Sequence, residues 1–298
     1  MSDDRPGDAA VLIGVDWGSS NLRVMRIAPG GQVLAARSDP RGASGLATEA
    51  FPSVLADVAG EWLEDGLPVL ICGMAGARDR WREQPYRSCP APLDELGSGL
   101  AAQHTSETPR IVSGVMALAD GRMADVMRGE ETQVAGLDVG PGAWRVAAPG
   151  THSKWITVED GRITSLRSFV TGELFALLSA ASRLQDVGAD PLAFEAGVRR
   201  SLVERDLTAA LFSVRVEGLA GRLEPSSAAD YLSGLLIGAE VAAQAPAPAE
   251  ALILVGAEAL NRRYETALRL AGFTDITVRD GAAATARGLW RIHEAATR

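Results

Sequence analysis

The chain has 298 residues, of which 47% are hydrophobic and 22% charged, so it can bury a substantial core, and its length favours two domains over one. The 29 basic and 38 acidic residues give a net charge of −9, and no basic tract could neutralise a run of phosphates, which excludes nucleic acid as the expected partner. Two cysteines and three histidines are too few for a disulfide framework or a zinc site, and no apolar stretch reaches the length of a membrane span. We therefore expect a globular protein of the cytoplasm.

The predicted elements repeat along the chain. Residues 1–10 are polar and acidic, which predicts a disordered tail and no secretory signal. Three short strands, a helix and a buried strand follow, predicted at residues 11–15, 22–27, 32–37, 48–64 and 68–72. A similar set of strands returns at residues 144–148, 154–158, 162–167 and 251–255. The repeat predicts two related α/β lobes, with an Ala/Pro-rich loop at 242–249 and a last helix from residue 280 that returns to the first lobe.

The turn after the first strand has the composition of a phosphate-binding hairpin. Gly18 allows main-chain amides to approach an anion, while Ser19, Ser20 and Asn21 add neutral donors. Asp16, at the end of the strand, is placed to act in catalysis by holding a hydrated Mg²⁺ against that anion. The alternative is an ordinary hairpin turn, since Gly, Ser and Asn are common turn residues.

A second turn of this kind follows the strand at 144–148. Gly150, Thr151, His152 and Ser153 can contribute main-chain and side-chain donors to a phosphate, and Lys154 can add a point charge. Two such turns facing each other would hold the phosphate chain of a nucleotide from both sides. The alternative is a solvated Lys154 and a structural His152.

Paired carboxylates open a predicted helix about twenty residues before the second turn. Transfer of a phosphoryl group to an alcohol needs a carboxylate that orients the attacking hydroxyl and accepts its proton. Glu130 is the candidate base and Glu131 the alternate. Both could instead be first-turn residues that the helix dipole favours.

The motifs together resemble a known family. They are DWGSSNLR (16–23), GMAG (73–76), MRGEETQ (127–133), PGTHSKW (149–155), TGEL (171–174) and LSGLLIGAE (232–240). In this combination the chain is similar to the 2-dehydro-3-deoxygalactonokinases, of the sugar kinase, actin and Hsp70 superfold. The resemblance implies an α/β fold of two related ribonuclease H-like (actin-like ATPase) lobes with an interlobe active-site cleft. The implied lobes are residues 11–128, completed by a C-terminal helix at 283–298, and residues 129–282.

The resemblance also implies an activity, which is ATP-dependent phosphorylation of the 6-hydroxyl of 2-dehydro-3-deoxy-D-galactonate. Such a 2-keto-3-deoxy sugar acid needs cations and neutral donors in its pocket, and the candidate cations are Arg23, Arg128, Lys154 and Arg167. Thr171 is a candidate neutral partner, although it could simply cap a helix, and the resemblance adds Glu173. The superfold places adenine at the turn of Gly256 and Ala257, for which the alternative is a turn without a ligand.

Other functions stay open at this stage. The enzyme could act on another sugar or sugar acid, because the fold constrains the sugar weakly. A phosphatase or ATPase is a further option, and so is a non-catalytic sugar-sensing protein, against which Asp16 and Glu130 argue. We expect ATP and Mg²⁺ as cofactors, a small-molecule sugar acid as partner, neither nucleic acid nor membrane, and a homodimer as the assembly.

Overall fold

The computed structural model describes residues 9–100, 109–182, 190–244 and 251–297. Residues 1–8 of the predicted tail and residues 245–249 of the predicted loop lie outside this part of the chain. Within it, no helix is both long enough and apolar enough to cross a membrane.

The described part of the chain contains both strands and α-helices, interspersed along the sequence. The strands are Leu12–Trp17 (β1), Leu22–Ile27 (β2), Val33–Asp39 (β3), Val69–Gly73 (β4), Arg87–Ser88 (β5), Ala91–Pro92 (β6), Arg110–Ile111 (β7), Val115–Ala119 (β8), Arg122–Met127 (β9), Ala143–Ala148 (β10), Ser153–Glu159 (β11), Arg162–Phe169 (β12), Leu252–Gly256 (β13) and Ile276–Asp280 (β14). The α-helices are Phe51–Ala59 (α1), Glu130–Ala135 (α2), Thr171–Ser182 (α3), Pro191–Val203 (α4), Leu207–Leu219 (α5), Ala228–Ala242 (α6), Glu258–Leu270 (α7) and Gly281–Thr297 (α8).

The helix predicted at 48–64 is broken into three pieces. Short 3-10 turns, Thr48–Ala50 and Gly60–Leu63, flank α1. Gly60 has φ +55°, a left-handed conformation that an α-helix does not continue through, and this ends α1.

The first sheet has the strand order β3-β2-β1-β4-β7. β1 pairs antiparallel with β2 and parallel with β4. β1 is almost entirely buried, as its continuous apolar composition requires of a central strand, and it runs two residues further than predicted. Asp16 is therefore inside the strand rather than after it.

The second sheet has the strand order β14-β13-β10-β11-β12-β6, and β10 pairs parallel with β13. A third sheet has the order β5-β8-β9. The sequence pattern did not predict β5 to β9. Strands β5, β6 and β7 have two residues each, and β8 and β9 each have a single buried residue, so no buried apolar run marks them.

By compactness the chain divides into two units. Unit 1 comprises the described parts of residues 1–144, 156–167 and 279–298, and unit 2 those of 145–155 and 168–278. The unit 1 core surrounds Trp17 and Phe51, and the unit 2 core surrounds Trp155 and Tyr264. Helix α8 belongs to unit 1 and packs closely on α2, since a Cβ on Gly288 would meet the carbonyl oxygen of Thr132. The predicted lobes, with their boundary at 128/129, were defined by the repeat in the sequence, whereas these units are defined by compactness. The predicted lobes therefore stay a proposal.

Candidate active site

The first turn joins β1 and β2 and belongs to unit 1. The main-chain N–H of Gly18 donates to the carbonyl oxygen of Asn21 at 2.9 Å, so Ser19 and Ser20 are the central residues of the turn. The carbonyl oxygens of Gly18 and Ser19 accept the N–H groups of Ala43 and Ser44, at 2.9 and 3.0 Å. Ser20 and Asn21 are exposed. Hydrogen bonds from Ala43 and Ser44 thus fix the base of the turn, while Ser20 and Asn21 at its tip are exposed to solvent.

Asp16 lies one residue before the end of β1 and is partly buried. It is paired in register with Arg23 on β2 and with Cys72 on β4. The Cys72 thiol donates to Oδ1 of Asp16 over 3.9 Å. Burial raises the pKa of Asp16, and the charge of Arg23 lowers it in part. A cation held at this carboxylate would favour its ionised form.

Two neighbouring carboxylates at the start of α2 have different environments. Glu131 is fully buried and accepts the main-chain N–H of Gly129 at both oxygens, at 3.0 and 2.8 Å. Burial and the nearby Glu130 raise the pKa of Glu131 to about 8. Glu130 is only partly buried, and its Oε2 accepts the main-chain N–H of Arg128 at 3.1 Å.

The start of α2 lies against the ends of β1 and β4. Gly73 ends β4 with φ +89°, and a Cβ there would lie 2.5 Å from the carbonyl oxygen of Trp17. Gly129 has φ +114°, and its Cβ position lies 3.4 Å from Cα of Gly73. Asp16 and Glu131 both raise the pKa of the buried Cys72 thiol, after burial itself. Unit 1 therefore brings Asp16 and the start of α2 to one end of its sheet.

The second turn joins β10 and β11 in unit 2, and the start of α3 packs on it. The main-chain N–H of Glu173 donates to the carbonyl oxygen of Thr151 at 3.0 Å, and a Cβ on Gly172 would collide with the carbonyl oxygen of Gly150. Nε2 of His152 lies 2.8 Å from Oε2 of Glu173, and both side chains are about half exposed.

A buried network beneath this turn was not predicted. The carboxylate of Glu240 accepts hydrogen bonds from Trp155, Thr171 and Tyr264, and Tyr264 in turn contacts Ser153 at 2.7 Å. The hydroxyl of Thr171, which the sequence left as a substrate contact or a helix cap, donates to Glu240. Burial raises the pKa of Glu240, and the hydrogen bonds lower it in part. The sequence signal was the position of Glu240 in a largely apolar stretch of α6.

The predicted adenine turn lies next to the second turn. β13 ends at Gly256, whose carbonyl oxygen accepts from Nδ2 of Asn261 at 3.0 Å. A Cβ on Gly256 would lie 3.6 Å from the carbonyl oxygen of Pro149, and Ala257 is exposed at the start of α7. Gly256, Ala257 and the turn beginning at Pro149 therefore share one edge of unit 2.

The four predicted cations differ in accessibility. Arg128 is 8% exposed, lies 4.3 Å over the Tyr86 ring and donates to the carbonyl oxygen of Gln84. Lys154 is 6% exposed and donates to the carbonyl oxygen of His152 at 3.3 Å. Arg23 is partly buried on β2, and Arg167 is exposed on β12. Of the four, Arg23 and Arg167 are the more accessible to a dissolved anion.

The donor set suits a Mg²⁺ ion that is held largely by its nucleotide. In the described part of the chain, no group of three or more His, Cys, Asp or Glu side chains could hold a metal. Mg²⁺ commonly uses one or two carboxylates together with substrate phosphates and water. Asp16 beside the first turn fits that requirement.

The mixed α/β fold is shared with solved structures of low sequence identity. One is the solved structure of the activator of the 2-hydroxyisocaproyl-CoA dehydratase from Clostridium difficile with bound ADPNP. The match covers 95% of this chain and 95% of that one, with a TM-score of 0.54 at 14% identity, which shows the fold alone. The family model for 2-keto-3-deoxy-galactonokinase matches residues 16–292. The chain belongs to this family of carbohydrate kinases.

Named relatives match along almost the whole chain. The "Probable 2-dehydro-3-deoxygalactonokinase DgoK1" of Rhizobium meliloti (strain 1021) is 37% identical over 95% of this chain and 99% of its own. The 2-dehydro-3-deoxygalactonokinase of Escherichia coli (strain K12) is 35% identical over 96% and 98%. A crystal structure of a "putative 2-dehydro-3-deoxygalactonokinase protein" from Sinorhizobium meliloti has a TM-score of 0.83 at 33% identity, covering 95% and 98%. The resemblance stated from the motifs is confirmed.

Proposed function

We propose that this protein transfers the γ-phosphoryl group of ATP to the 6-hydroxyl of 2-dehydro-3-deoxy-D-galactonate, giving 2-dehydro-3-deoxy-6-phosphogalactonate and ADP. The observation that carries the proposal is the match to named kinases over at least 95% of the chain. In the reaction the 6-oxygen forms a bond to the γ-phosphorus, the bond from that phosphorus to the β–γ bridging oxygen breaks, and the hydroxyl proton passes to a carboxylate.

Glu130 is the proposed acceptor of that proton. It is partly exposed at the start of α2, where a substrate hydroxyl can reach it. Glu131 is fully buried, so we assign it a positioning role: it closes back on the N–H of Gly129 and fixes the start of the helix. This assignment separates the two alternatives that the motif left open.

The two turns are the proposed phosphate sites. Ser19, Ser20 and Asn21 lie at the tip of a turn whose base is fixed by main-chain hydrogen bonds. Because the turn is already ordered, an anion that binds there has little conformational entropy to remove. Gly150, Thr151 and His152 form the second turn, and Gly256 and Ala257 beside it are the proposed adenine contacts. The Ser153 hydroxyl is buried against Tyr264, so any contact that Ser153 makes with the nucleotide comes from its main chain.

Asp16 is the proposed residue for Mg²⁺, which when bound would neutralise charge on the phosphates. For the substrate carboxylate we favour Arg23, which lies opposite Asp16 in the sheet and is partly accessible. Arg128, Lys154, Arg167, Thr171 and Glu173 stay candidates for further contacts with the sugar acid. Cytoplasmic localisation and a homodimer also stay predictions.

A coupled assay of ADP release tests the proposal. The acceptors are 2-dehydro-3-deoxy-D-galactonate, its gluconate epimer, glucose, glycerol and none, each with Mg-ATP. We expect release above background with the galactonate derivative and the highest kcat/KM for it. Equal release without an acceptor would indicate an ATPase, release with glucose alone would indicate a neutral-sugar kinase, and no release with any would contradict a catalytic role.

A further inference from the structure

The carboxylate of Glu240 is a buried junction that joins its own helix to three other elements. Nε1 of Trp155 donates to Oε1 at 2.9 Å, the hydroxyl of Tyr264 donates to Oε2 at 2.8 Å, and the hydroxyl of Thr171 also donates to Oε2. These donors belong to β11, α7 and α3, while Glu240 itself belongs to α6 and is 3% exposed. The junction therefore fixes four elements relative to one another.

Each donor is linked to the second turn: Trp155 and Thr171 through their neighbours in sequence, and Tyr264 through a hydrogen bond to Ser153. Trp155 follows the turn by three residues. Thr171 directly precedes Gly172 and Glu173, which contact the carbonyl oxygens of the turn. Tyr264 is linked to the turn through its hydroxyl, which donates to Glu240 and lies 2.7 Å from the hydroxyl of Ser153. Ser153 is the first residue after the turn, so the chain of hydrogen bonds runs from the turn to Glu240.

A buried carboxylate is a costly way to pack a helix. Burying a charge without an ionic partner is unfavourable, and an apolar side chain of similar volume commonly gives equal or better stability. A carboxylate does, however, fix the positions of its hydrogen-bond donors, because charge-assisted hydrogen bonds are short, strong and geometrically specific. The arrangement is therefore better explained by positioning than by packing.

We propose that Glu240 is a positioning residue for nucleotide binding: it holds the turn at residues 149–152 and the start of α3 in the geometry that receives the phosphates of ATP. This inference rests on the proposed kinase function, and it assigns to Glu240 a role that acts through Trp155, Thr171 and Tyr264. Glu240 itself is too deeply buried to touch the nucleotide.

Glu240→Gln is the direct test, because it keeps the volume but sets an amide donor against donors that previously shared two carboxylate oxygens. We expect the KM for Mg-ATP to rise by roughly tenfold or more, with the KM for the sugar acid unchanged within about twofold. Tyr264→Phe removes the hydroxyl that contacts both Glu240 and Ser153, and should give a smaller rise in the same KM. It serves as the test variant should Glu240→Gln fail to fold.

Asp230→Asn is the matched control. Asp230 is on the same helix, is fully buried, and is also hydrogen-bonded, by Arg263 and by the main-chain N–H of Asp190 at 3.1 Å, and neither of these two partners belongs to the turn. We expect Asp230→Asn to lower the free energy of unfolding and to leave the KM for Mg-ATP unchanged. An equal rise in both variants would mean that loss of any buried carboxylate loosens unit 2, and would overturn the inference.

Calorimetric titration with Mg-AMPPNP separates this inference from the proposed substrate. Should the wild type bind Mg-AMPPNP but phosphorylate none of the acceptors, the proposed reaction fails, and the Kd values of the same variants still test Glu240. A Kd within twofold of wild type for both Glu240→Gln and Tyr264→Phe, or a wild type that binds no nucleotide, would overturn the role of Glu240.

Discussion

The main-chain N–H of Gly129 lies between the two carboxylate oxygens of Glu131, 3.0 Å from Oε1 and 2.8 Å from Oε2. The hydroxyl of Thr132 donates to the same Oε1 at 3.1 Å. Glu131 is thereby folded back over the start of its own helix, while the adjacent Glu130 stays partly exposed. Two adjacent glutamates thus differ in accessibility and in proposed role.

Glu130→Gln is expected to lower kcat by roughly two to four orders of magnitude, because the amide cannot accept the proton of the attacking hydroxyl. The Kd for Mg-AMPPNP should change little, since the carboxylate acts on the acceptor. Steady-state kinetics and calorimetry on one preparation measure both. A kcat close to that of the wild type would place the base elsewhere, with Glu131 and Glu173 the next candidates.

Glu131→Gln is expected to change how stability depends on pH. The folded-state pKa of Glu131, about 8, is above its ordinary value of 4.5, so the folded protein holds this proton more tightly than the unfolded chain does. Its contribution to the free energy of unfolding is therefore fully present below pH 4.5 and is lost as the pH rises to about 8. The variant should lose less stability than the wild type across that range, by on the order of a few kcal/mol.

Urea denaturation of both proteins at several pH values measures this difference. The comparison with the wild type isolates Glu131, because Asp16 and Glu240, whose pKa values are also raised by burial, are present in both proteins. Parallel stability curves would show that Glu131 does not titrate as its burial predicts.

Gly172→Ala is expected to disturb the second turn, because the added Cβ would collide with the carbonyl oxygen of Gly150. The KM for Mg-ATP should rise by roughly tenfold to a hundredfold. Gly218→Ala is the matched control, since Gly218 is also in a helix but has open space at its Cβ position. It should stabilise the protein by about 0.5–1 kcal/mol without altering the kinetics. Equal KM values for the two variants would contradict the packing of α3 on the turn.

Gly73→Ala is expected to destabilise unit 1 by on the order of 3 kcal/mol, because it adds a clash with the Trp17 carbonyl oxygen to the strain of a positive φ. Gly66 has φ +69° with open space around its Cβ position, so Gly66→Ala should cost only about 1–2 kcal/mol. Thermal and urea unfolding compare the two variants. A loss no larger at Gly73 than at Gly66 would contradict the close contact between the ends of β1 and β4.

Arg23→Gln is expected to raise the KM for the sugar acid by roughly tenfold, through loss of a charge-assisted hydrogen bond to its carboxylate. Arg26→Gln is the control, because Arg26 is on the same strand and pairs with Asp65 at 2.9 Å. Only Arg23→Gln should change the KM for the sugar acid. An unchanged KM in both variants would mean that Arg23 does not bind the carboxylate, and Arg167 would be the next candidate.

The sequence predicted well the features that are local. The β1–β2 hairpin, the turn at 149–152 and the start of α2 each depend on neighbouring residues, so composition and hydrophobic pattern identify them. Buried β1 and β13 were likewise marked by continuous apolar runs.

The network around Glu240 could not be predicted in this way. Its hydrogen bonds join residues 69 and 85 positions apart, from Glu240 to Thr171 and to Trp155, and none of these residues has a local pattern that indicates a partner. The different environments of Glu130 and Glu131 were also hidden, because which side chain folds back depends on the conformation of Gly129, whose φ is +114°. Interactions set by tertiary packing need the three-dimensional structure.

Identification of the product is the most direct test of the proposed phosphorylation of the 6-hydroxyl. The protein is incubated with Mg-ATP and 2-dehydro-3-deoxy-D-galactonate, and the purified product is analysed by mass spectrometry and by phosphorus–proton correlation NMR. We expect one added phosphate, correlated with the two protons on carbon 6, formed in equal amount with ADP. A phosphate on another carbon, or ADP formed with inorganic phosphate and unchanged sugar acid, would contradict it.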